Sequence, residues 1–188
     1  MNKKAIINSK ENYSFVISVN GLSIMDLEKE NKKVLLCACK KYTKNQTNGI
    51  LLIDTEIEEK KKLTTIYVDT DSFEVNCFCQ INIEDNNKTI KTNYFFVGGF
   101  DPKERKGIIK LCKLTYINNE FNIEILEDIV NNFANGFEGF ERTINIIIQS
   151  KINRKILVSS WDGHVYCFSE PNIKVHLEED KKSDIHFF

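Results

Sequence analysis

The sequence lacks a long apolar run and an excess of either charge. Its 188 residues carry 26 Lys and Arg against 27 Asp and Glu, for a formal net charge of −1. The chain as a whole therefore has no electrostatic attraction to nucleic acid or to an anionic membrane. Apolar runs such as Ile146–Ile148 are far shorter than the roughly 20 residues that cross a bilayer. We expect no nucleic-acid partner and no membrane span.

The N-terminus also lacks a feature of exported proteins. Met1–Lys4 carries two lysines but is not followed by the apolar segment of a signal peptide. Each of the six cysteines lies inside an apolar run, which favours buried thiols in a reducing compartment over disulfides. We expect a soluble, cytoplasmic protein, with the nucleus as the alternative compartment.

Motifs for phosphate, dinucleotide or metal chemistry are missing as well. The chain contains neither a phosphate-cradling Gly-rich loop nor a dinucleotide-binding motif. Cys37-x-Cys39 and Cys77-x-Cys79 each place two thiols on one strand face. Their spacing differs from that of structural zinc sites, so core packing is the favoured interpretation and zinc the minor one. We predict no cofactor and no metal.

One hairpin contains the residue types of a catalytic triad. Ser160, Asp162 and His164 follow one another closely, whereas a triad needs a base that reaches the nucleophile and an acid that orients the base. Neighbours in a single hairpin meet that geometry poorly. We therefore predict no catalytic residue.

What the sequence does contain is many short runs of β-branched and aromatic residues, separated by Asn, Gly, Asp and Lys. Such runs are typical of strands with tight turns, and no segment shows a sustained helical period. The predicted strands are Ser14–Val19, Leu22–Leu27, Val34–Lys40, Gly49–Ile57, Leu63–Val68, Phe73–Ile83, Tyr94–Phe100, Gly107–Tyr116, Phe121–Leu126, Thr143–Ser150, Lys155–Ser160 and His164–Phe168. This pattern predicts an all-β protein.

A repeat narrows the choice of architecture. An apolar strand that ends in small residues, then a turn and a glycine before a second apolar strand, occurs three times. The glycines are Gly49, Gly107 and Gly163, separated by 58 residues (107 − 49) and 56 residues (163 − 107). We expect positive φ angles at these glycines, because hairpin turns often need them. A period of this length indicates one supersecondary unit whose copies stack on each other.

The last copy carries a family resemblance. From Ile156 to Phe168 it reads Ile-Leu-Val-Ser-Ser-Trp-Asp-Gly-His-Val-Tyr-Cys-Phe. A strand, a serine pair, Asp-Gly and a second strand with an aromatic residue resemble the blade of WD40-type and quinoprotein-like β-propellers. The resemblance extends from about residue 14 to residue 168. It implies antiparallel four-stranded blades that serve as a scaffold for protein–protein contacts.

The repeat predicts a single propeller-type domain over residues 1–188. Its blades are predicted over 22–69, 73–129 and 143–168, with a charged tail over 169–188. Strand 14–19 is available to complete the last blade, which would remove a free edge. Three blades are too few to close a ring. The propeller is therefore incomplete: it belongs to a longer chain, is completed by a homodimer or another chain, or stays open.

The loops at the blade edges are the predicted contact sites, because loops carry binding in this architecture. Candidate residues are Lys103 and Arg105, in a charged inter-strand loop, and Trp161, in the last turn. A solvated turn is the simpler interpretation of the charged loop.

A second candidate contact is aromatic. Phe133, Phe137 and Phe140 occupy a Gly-containing loop, and this composition suits a partner contact. Packing of these rings beneath the loop is equally compatible with the sequence.

The function predicted from the sequence is a non-catalytic, intracellular protein–protein interaction scaffold. The alternative is a propeller-type enzyme or ligand-binding domain with a site at the blade axis, which would need carboxylates, Arg or His to converge at one end of the blades. A third interpretation is a truncated paralogue that does little by itself. Function here follows from family resemblance, since a fold alone does not specify it.

Overall fold

The computed structural model describes residues 16–42, 47–55, 65–70, 73–85, 88–118, 120–128, 139–153 and 155–169. These ranges form eleven β-strands and no helix, which confirms the predicted all-β class. The strands are β1 (Val16–Leu27), β2 (Lys32–Tyr42), β3 (Thr47–Asp54), β4 (Thr65–Asp69), β5 (Glu74–Asp85), β6 (Lys88–Asp101), β7 (Lys106–Ile117), β8 (Glu120–Asp128), β9 (Ile144–Gln149), β10 (Ile156–Ser160) and β11 (Val165–Phe168).

The strands build three antiparallel sheets, and within each sheet every strand pairs with the next one along the chain. The first sheet has the order β1-β2-β3-β4, the second β5-β6-β7-β8 and the third β11-β10-β9. The sheets span residues 16–69, 74–128 and 144–168, where the sequence predicts blades over 22–69, 73–129 and 143–168. Residues 170–188, which include most of the predicted tail, lie outside the described residues.

The N-terminal strand belongs to the first sheet and not to the last. Val16–Val19 continue β1 and pair with β2, so that Val19 lies opposite Cys39. The register shifts at Asn20, which is a β-bulge. A bulge inserts one residue without ending the pairing, and the two strands predicted on either side of Asn20 are therefore one. The prediction that strand 14–19 completes the last blade is corrected accordingly.

The sheets stack face to face, with the second sheet between the other two. The first core, between the first and second sheets, includes Met25, Leu27, Val34, Leu36, Ile50, Leu52, Phe78, Phe95, Val97 and Leu114. The second core, between the second and third sheets, includes Ile81, Tyr94, Phe96, Ile109, Leu111, Phe140, Ile144, Ile147, Ile156, Val158 and Phe168. Each fully buried Phe or Ile contributes about 1.5–3 kcal/mol.

β6 shows how one strand serves both cores. Phe95 and Val97 belong to the first core, while Tyr94 and Phe96 belong to the second. Successive side chains of a strand point to opposite faces, so an uninterrupted apolar run is what a strand buried on both sides requires. The second sheet is therefore the centre of the molecule.

The first strand of every sheet carries an asparagine in a bulge: Asn20 in β1, Asn76 in β5 and Asn145 in β9. Asn20 Nδ2 donates to Asn76 Oδ1 at 3.5 Å, and Asn76 Nδ2 donates to the Ile144 carbonyl at 3.5 Å. The residues opposite the bulges are small in every sheet, namely Ala38 and Cys39, Gly98 and Gly99, and Ser159 and Ser160. The sequence repeat is thus a structural repeat that brings β5 against both β1 and β9.

Four residues after the bulge, β5 and β9 each carry a glutamine that bonds to the main chain of the preceding sheet. Gln80 accepts the N–H of Asp26 at 3.2 Å and donates to its carbonyl at 2.8 Å. Gln149 accepts the N–H of Asn82 at 2.8 Å and donates to its carbonyl at 2.9 Å. We name these two contacts the glutamine bridges. The corresponding residue of β1 is Ile24.

Candidate functional site

The predicted contact residues Lys103 and Arg105 lie in the turn between β6 and β7. Asp101 Oδ1 accepts the N–H groups of Lys103 at 2.8 Å and of Glu104 at 3.2 Å, which is the pattern of an Asx turn. Arg105 follows with a left-handed φ of 57°. The side chains of Lys103 and Arg105 are exposed. The turn therefore presents two cations from a backbone that its own hydrogen bonds hold.

Two backbone hydrogen bonds link this turn to a second segment and that segment to a third. Gly107 N–H donates to the Phe140 carbonyl at 2.9 Å, and Trp161 N–H donates to the Thr143 carbonyl at 3.0 Å. A Cβ at Gly107 would lie 2.1 Å from the Arg142 carbonyl oxygen, so a glycine is required at this approach. Three segments consequently lie side by side. They form the turn edge, which comprises residues 101–107, 139–143 and 160–164.

The carboxylate of Asp162 organises the last of these segments. The Ser160 hydroxyl donates to Asp162 Oδ1, as does the His164 N–H at 2.8 Å, and the Tyr166 hydroxyl donates to Oδ2 at 3.1 Å. The Ser160 hydroxyl, followed by the His164 N–H, lowers the pKa of Asp162 to about 2. Gly163, with a φ of 86°, permits the reversal of the chain. At neutral pH the turn is thus closed around an ionised carboxylate.

Trp161 projects from this closed turn. It is the only tryptophan of the chain. Its backbone N–H donates to the Thr143 carbonyl, while 74% of the residue surface is exposed. Arg142 is exposed on the adjacent segment. Trp and Arg are among the residues that dominate the energetics of protein–protein interfaces. The turn edge therefore presents suitable anchor residues on a hydrogen-bonded backbone.

The three phenylalanines predicted as a contact have different outcomes. Phe140 is buried in the second core, edge-on to Tyr166 at 4.9 Å and to Phe168 at 5.8 Å between ring centroids. The sequence allowed either a partner contact or packing beneath the loop. Phe140 packs beneath the loop and is therefore not a partner contact. Phe133 and Phe137 lie outside the described residues.

The Ser160, Asp162 and His164 side chains do not form a catalytic relay. In a triad the serine hydroxyl donates to the histidine, whereas here it donates to the aspartate. His164 Nδ1 lies 3.3 Å from the same carboxylate, and the imidazole is largely exposed. Both residues therefore bond to Asp162, and the arrangement stabilises a turn.

The two Cys-x-Cys pairs lie on different sheets. Cys77 and Cys79 pack against the second core, while Cys37 and Cys39 belong to β2 of the first sheet. Burial raises the pKa of Cys77 to about 12 and that of Cys39 to about 11, whereas zinc binds thiolates. Across the described ranges, no group of three or more His, Cys, Asp or Glu residues could hold a metal ion.

A cleft of about 340 Å³ opens between the second and third sheets, on the side opposite the turn edge. Its lining includes Asn82, Lys91, Gln149 and Lys151. Gln149 is already engaged in a glutamine bridge, and Lys91 Nζ lies 2.6 Å from Asp26. The cleft therefore has fewer polar groups ready for a ligand than its composition suggests.

Several contributors to the turn edge were not predicted from the sequence. The repeat identified Gly107, but the sequence explained it by a positive φ angle. Of the three repeat glycines, only Gly163 has a positive φ. Gly107 is required by the close approach of Arg142.

Outside the turn edge, the bulged asparagines had a signal that sequence analysis could have detected, namely an Asn inside an apolar run in each copy.

The described part of the chain contains no helix that is long and apolar enough to cross a membrane. Comparison with known proteins gives no match to a protein family, to a curated protein or to a solved structure.

Proposed function

We propose that this chain is an intracellular, non-catalytic interaction module whose turn edge binds a protein partner, and that its sheets are WD40-like blades of an incomplete β-propeller. The observation that carries the proposal is the exposure of Trp161 and Arg142 on adjacent segments of an edge whose backbone is held by hydrogen bonds.

The stacking of the sheets supports the propeller part of the proposal. Each sheet is a meander of consecutive antiparallel strands, and β5 contacts both β1 and β9, the first strands of the neighbouring sheets. In a propeller the first strands of successive blades gather around a common axis. We name Asn20, Asn76 and Asn145 the asparagine row. This row and the glutamine bridges provide the contacts that would repeat around such an axis.

The energetics of the turn edge support a binding function. A loop that is ordered before binding loses less conformational entropy when it binds. The hydrogen bonds of Asp101 and Asp162 order two of the three segments. Loss of an anchor Trp or Arg at an interface typically costs about 2 kcal/mol or more. Trp161 and Arg142 are the anchors that we expect a partner to cover.

An affinity experiment with matched variants tests the proposal. The immobilised chain is exposed to an extract of its source cells, and the retained proteins are quantified by mass spectrometry. We expect the double variant W161A/R142E to lose proteins that the wild type retains. Lys155→Glu is the control. It reverses an exposed charge at the end of the third sheet that lies away from the turn edge, and it should retain these proteins.

The result that would overturn the proposal is an identical set of retained proteins for the wild type, the double variant and the control. Because Trp161 and Arg142 are exposed, their replacement should leave the thermal midpoint unchanged. That measurement separates loss of binding from loss of folding.

A further inference from the structure

Both internal contacts between sheets use the same three positions of a first strand. Counted from the bulged asparagine, these are the residue before it and the residues two and four after it. In β5 they are Val75, Phe78 and Gln80, and in β9 they are Ile144, Ile147 and Gln149. The apolar members are buried against the preceding sheet, and the glutamines form the bridges. We name this set of three positions the ridge.

β1 has a ridge that no sheet of the described residues covers. Its members are Val19, Leu22 and Ile24, which are 51%, 63% and 64% exposed. Their counterparts in β5 and β9 lie in the two cores or in the glutamine bridges. The first sheet thus has, at one end of the stack, an exposed ridge of the kind that β5 and β9 pack against the preceding sheet.

The outer face of the third sheet is the opposite end of the stack. Ile146, Ile148 and Val165 are all more than half exposed there. Leu157 lies opposite both Ile148 and Cys167 in the register, so the apolar side chains of this face are contiguous across the three strands. We name this surface the receiving face.

The second sheet shows how such a face is normally used. Cys77 and Cys79 occupy the positions one and three after the bulge, as Ile146 and Ile148 do in β9. Cys77 and Cys79 are packed against the second core, under the third sheet. The receiving face is therefore the surface on which a fourth sheet would stack.

Exposed apolar surface is concentrated at these two ends. Among the described residues, ten large hydrophobic side chains are exposed. Six of them lie on the ridge of β1 or on the receiving face, namely Val19, Leu22, Ile24, Ile146, Ile148 and Val165. Contiguous exposed apolar patches of soluble proteins usually mark interaction sites.

We propose that a second copy of this chain docks head to tail, with the β1 ridge of one copy on the receiving face of the other. The contact would continue the interface that already joins the three sheets, since its two halves occupy the same positions. Ile24 replaces the bridging glutamine, which makes this ridge wholly apolar and matches the apolar receiving face. Two copies joined at both ends form a ring of six sheets without an open end.

The asparagine row would continue across the joint. Asn145 ends the row within one chain, and Asn20 begins it. Docking would place Asn20 of the second copy beside Asn145, as Asn76 lies beside Asn20 within the chain.

The solution mass tests the proposal. Light scattering of the wild type should give twice the 21.9 kDa of one chain. Ile24→Lys on the ridge and Ile148→Lys on the receiving face should each halve the mass. Ile117→Lys is the matched control, because Ile117 is as exposed as Ile24, at 64%, but lies on β7 of the central sheet. It should retain the double mass.

Mixing the two variants tests the head-to-tail arrangement. An Ile24→Lys chain keeps its receiving face, and an Ile148→Lys chain keeps its ridge, so the mixture should recover one joint and the double mass. A wild type of single mass at every concentration would overturn the proposal. So would a wild-type dimer that only one of the two variants dissociates, since that result indicates contact between identical faces.

Cys167 provides a readout that needs no variant. It is exposed next to Leu157 on the receiving face. Its rate of alkylation by N-ethylmaleimide should fall as the chain concentration rises, because docking covers it. A rate that stays as fast as that of an exposed thiol at every concentration would overturn the proposal even if the lysine variants fail to fold.

This inference rests on the stacked sheets of the proposed function but does not involve the charged residues of its turn edge. A double mass together with unchanged partner retention by W161A/R142E would refute partner binding alone. A single mass together with lost retention would refute only the docking of a second copy.

Discussion

Asp162 acts within this protein by closing a turn. Its carboxylate accepts hydrogen bonds from two hydroxyls and one backbone N–H, and each of them favours the ionised form. A carboxylate in this setting links the stability of the turn to pH. The exposure of Trp161 depends on the same turn.

The first prediction is that the stability supplied by Asp162 disappears in acid. Its pKa in the folded state is about 2, below the ordinary value of 3.8, so the contribution is complete above about pH 4 and is lost as the pH falls through 2. Asp162→Asn should therefore lower the free energy of unfolding at pH 7. Urea unfolding at several pH values should show the difference between the two proteins shrinking below pH 4. A difference that is constant with pH would contradict this explanation.

The second prediction compares two adjacent glycines of β6. A Cβ at Gly99 would lie 1.7 Å from the Glu74 carbonyl oxygen, whereas one at Gly98 would meet the ends of the Cys77 and Ile147 side chains at 2.7 Å. Side-chain ends can rotate away, but a strand carbonyl cannot. Overpacking costs about 1–3 kcal/mol, and we expect Gly99→Ala to lose more stability than Gly98→Ala in chemical denaturation. Equal losses would indicate that β5 shifts freely.

The glutamine bridges show how strand elements of different sheets are kept in register. A side-chain amide can both donate and accept, and Gln80 satisfies both backbone groups of Asp26 together with the Thr92 carbonyl at 2.9 Å. An apolar residue at this position would leave these groups without partners. Stacked apolar faces alone can slide, and the bridge fixes one sheet on the next.

The third prediction is that Gln80→Glu is destabilising and that acid reverses the effect. A carboxylate still accepts the Asp26 N–H but cannot donate to the carbonyls of Asp26 and Thr92. The introduced carboxyl should have a raised pKa in the folded state, so its penalty is absent below the ordinary value of about 4.3 and grows as the pH rises. Unsatisfied buried groups cost about 1–3 kcal/mol. Thermal midpoints of the variant and of Gln80→Met at pH 4 and pH 7 test this.

Gln80→Met is the control because its side chain cannot donate a hydrogen bond and does not titrate. Its loss of stability relative to the wild type should not recover in acid. Parallel behaviour of the two variants would mean that hydrogen bonding by Gln80 contributes little.

At the scale of elements, the sequence predicted the strands well and their ends poorly. Runs of aromatic and β-branched residues identify β5 to β7, because such residues favour a pleated, buried surface. The bulge at Asn20 was missed and one strand was split in two, because Asn20-Gly21 is also the dipeptide that is typical of a tight turn between two strands. Phe140 was ambiguous for a similar reason: a ring in a loop packs inward or outward according to contacts distant in sequence.

The molecule as a whole consists of two cores that share a central sheet. The first and third sheets each contribute to one core, while the second sheet contributes to both. Nothing in the composition distinguishes the central sheet. Its place follows from the order of the repeats and from the uninterrupted apolar run of β6.

The fourth prediction is that hydrogen exchange is slowest in the second sheet. Amides exchange through local opening, and a sheet that is covered on both faces opens only when both cores are disrupted. Exchange measured by mass spectrometry should show stronger protection over Tyr94–Val97 than over the edge strand β11. Protection that is equal in the three sheets would indicate a single cooperative unit.

Because the second sheet is buried on both faces, the order of synthesis leaves one of its faces uncovered for a time. During synthesis the last residue of the third sheet, Phe168, follows the end of β8 by 40 residues (168 − 128). At about 5–20 residues per second, this interval lasts roughly 2–8 s. Until the third sheet emerges from the ribosome, Tyr94, Phe96 and Ile109 have no partner on that side. Apolar surface that is exposed during this interval makes the nascent chain prone to aggregation.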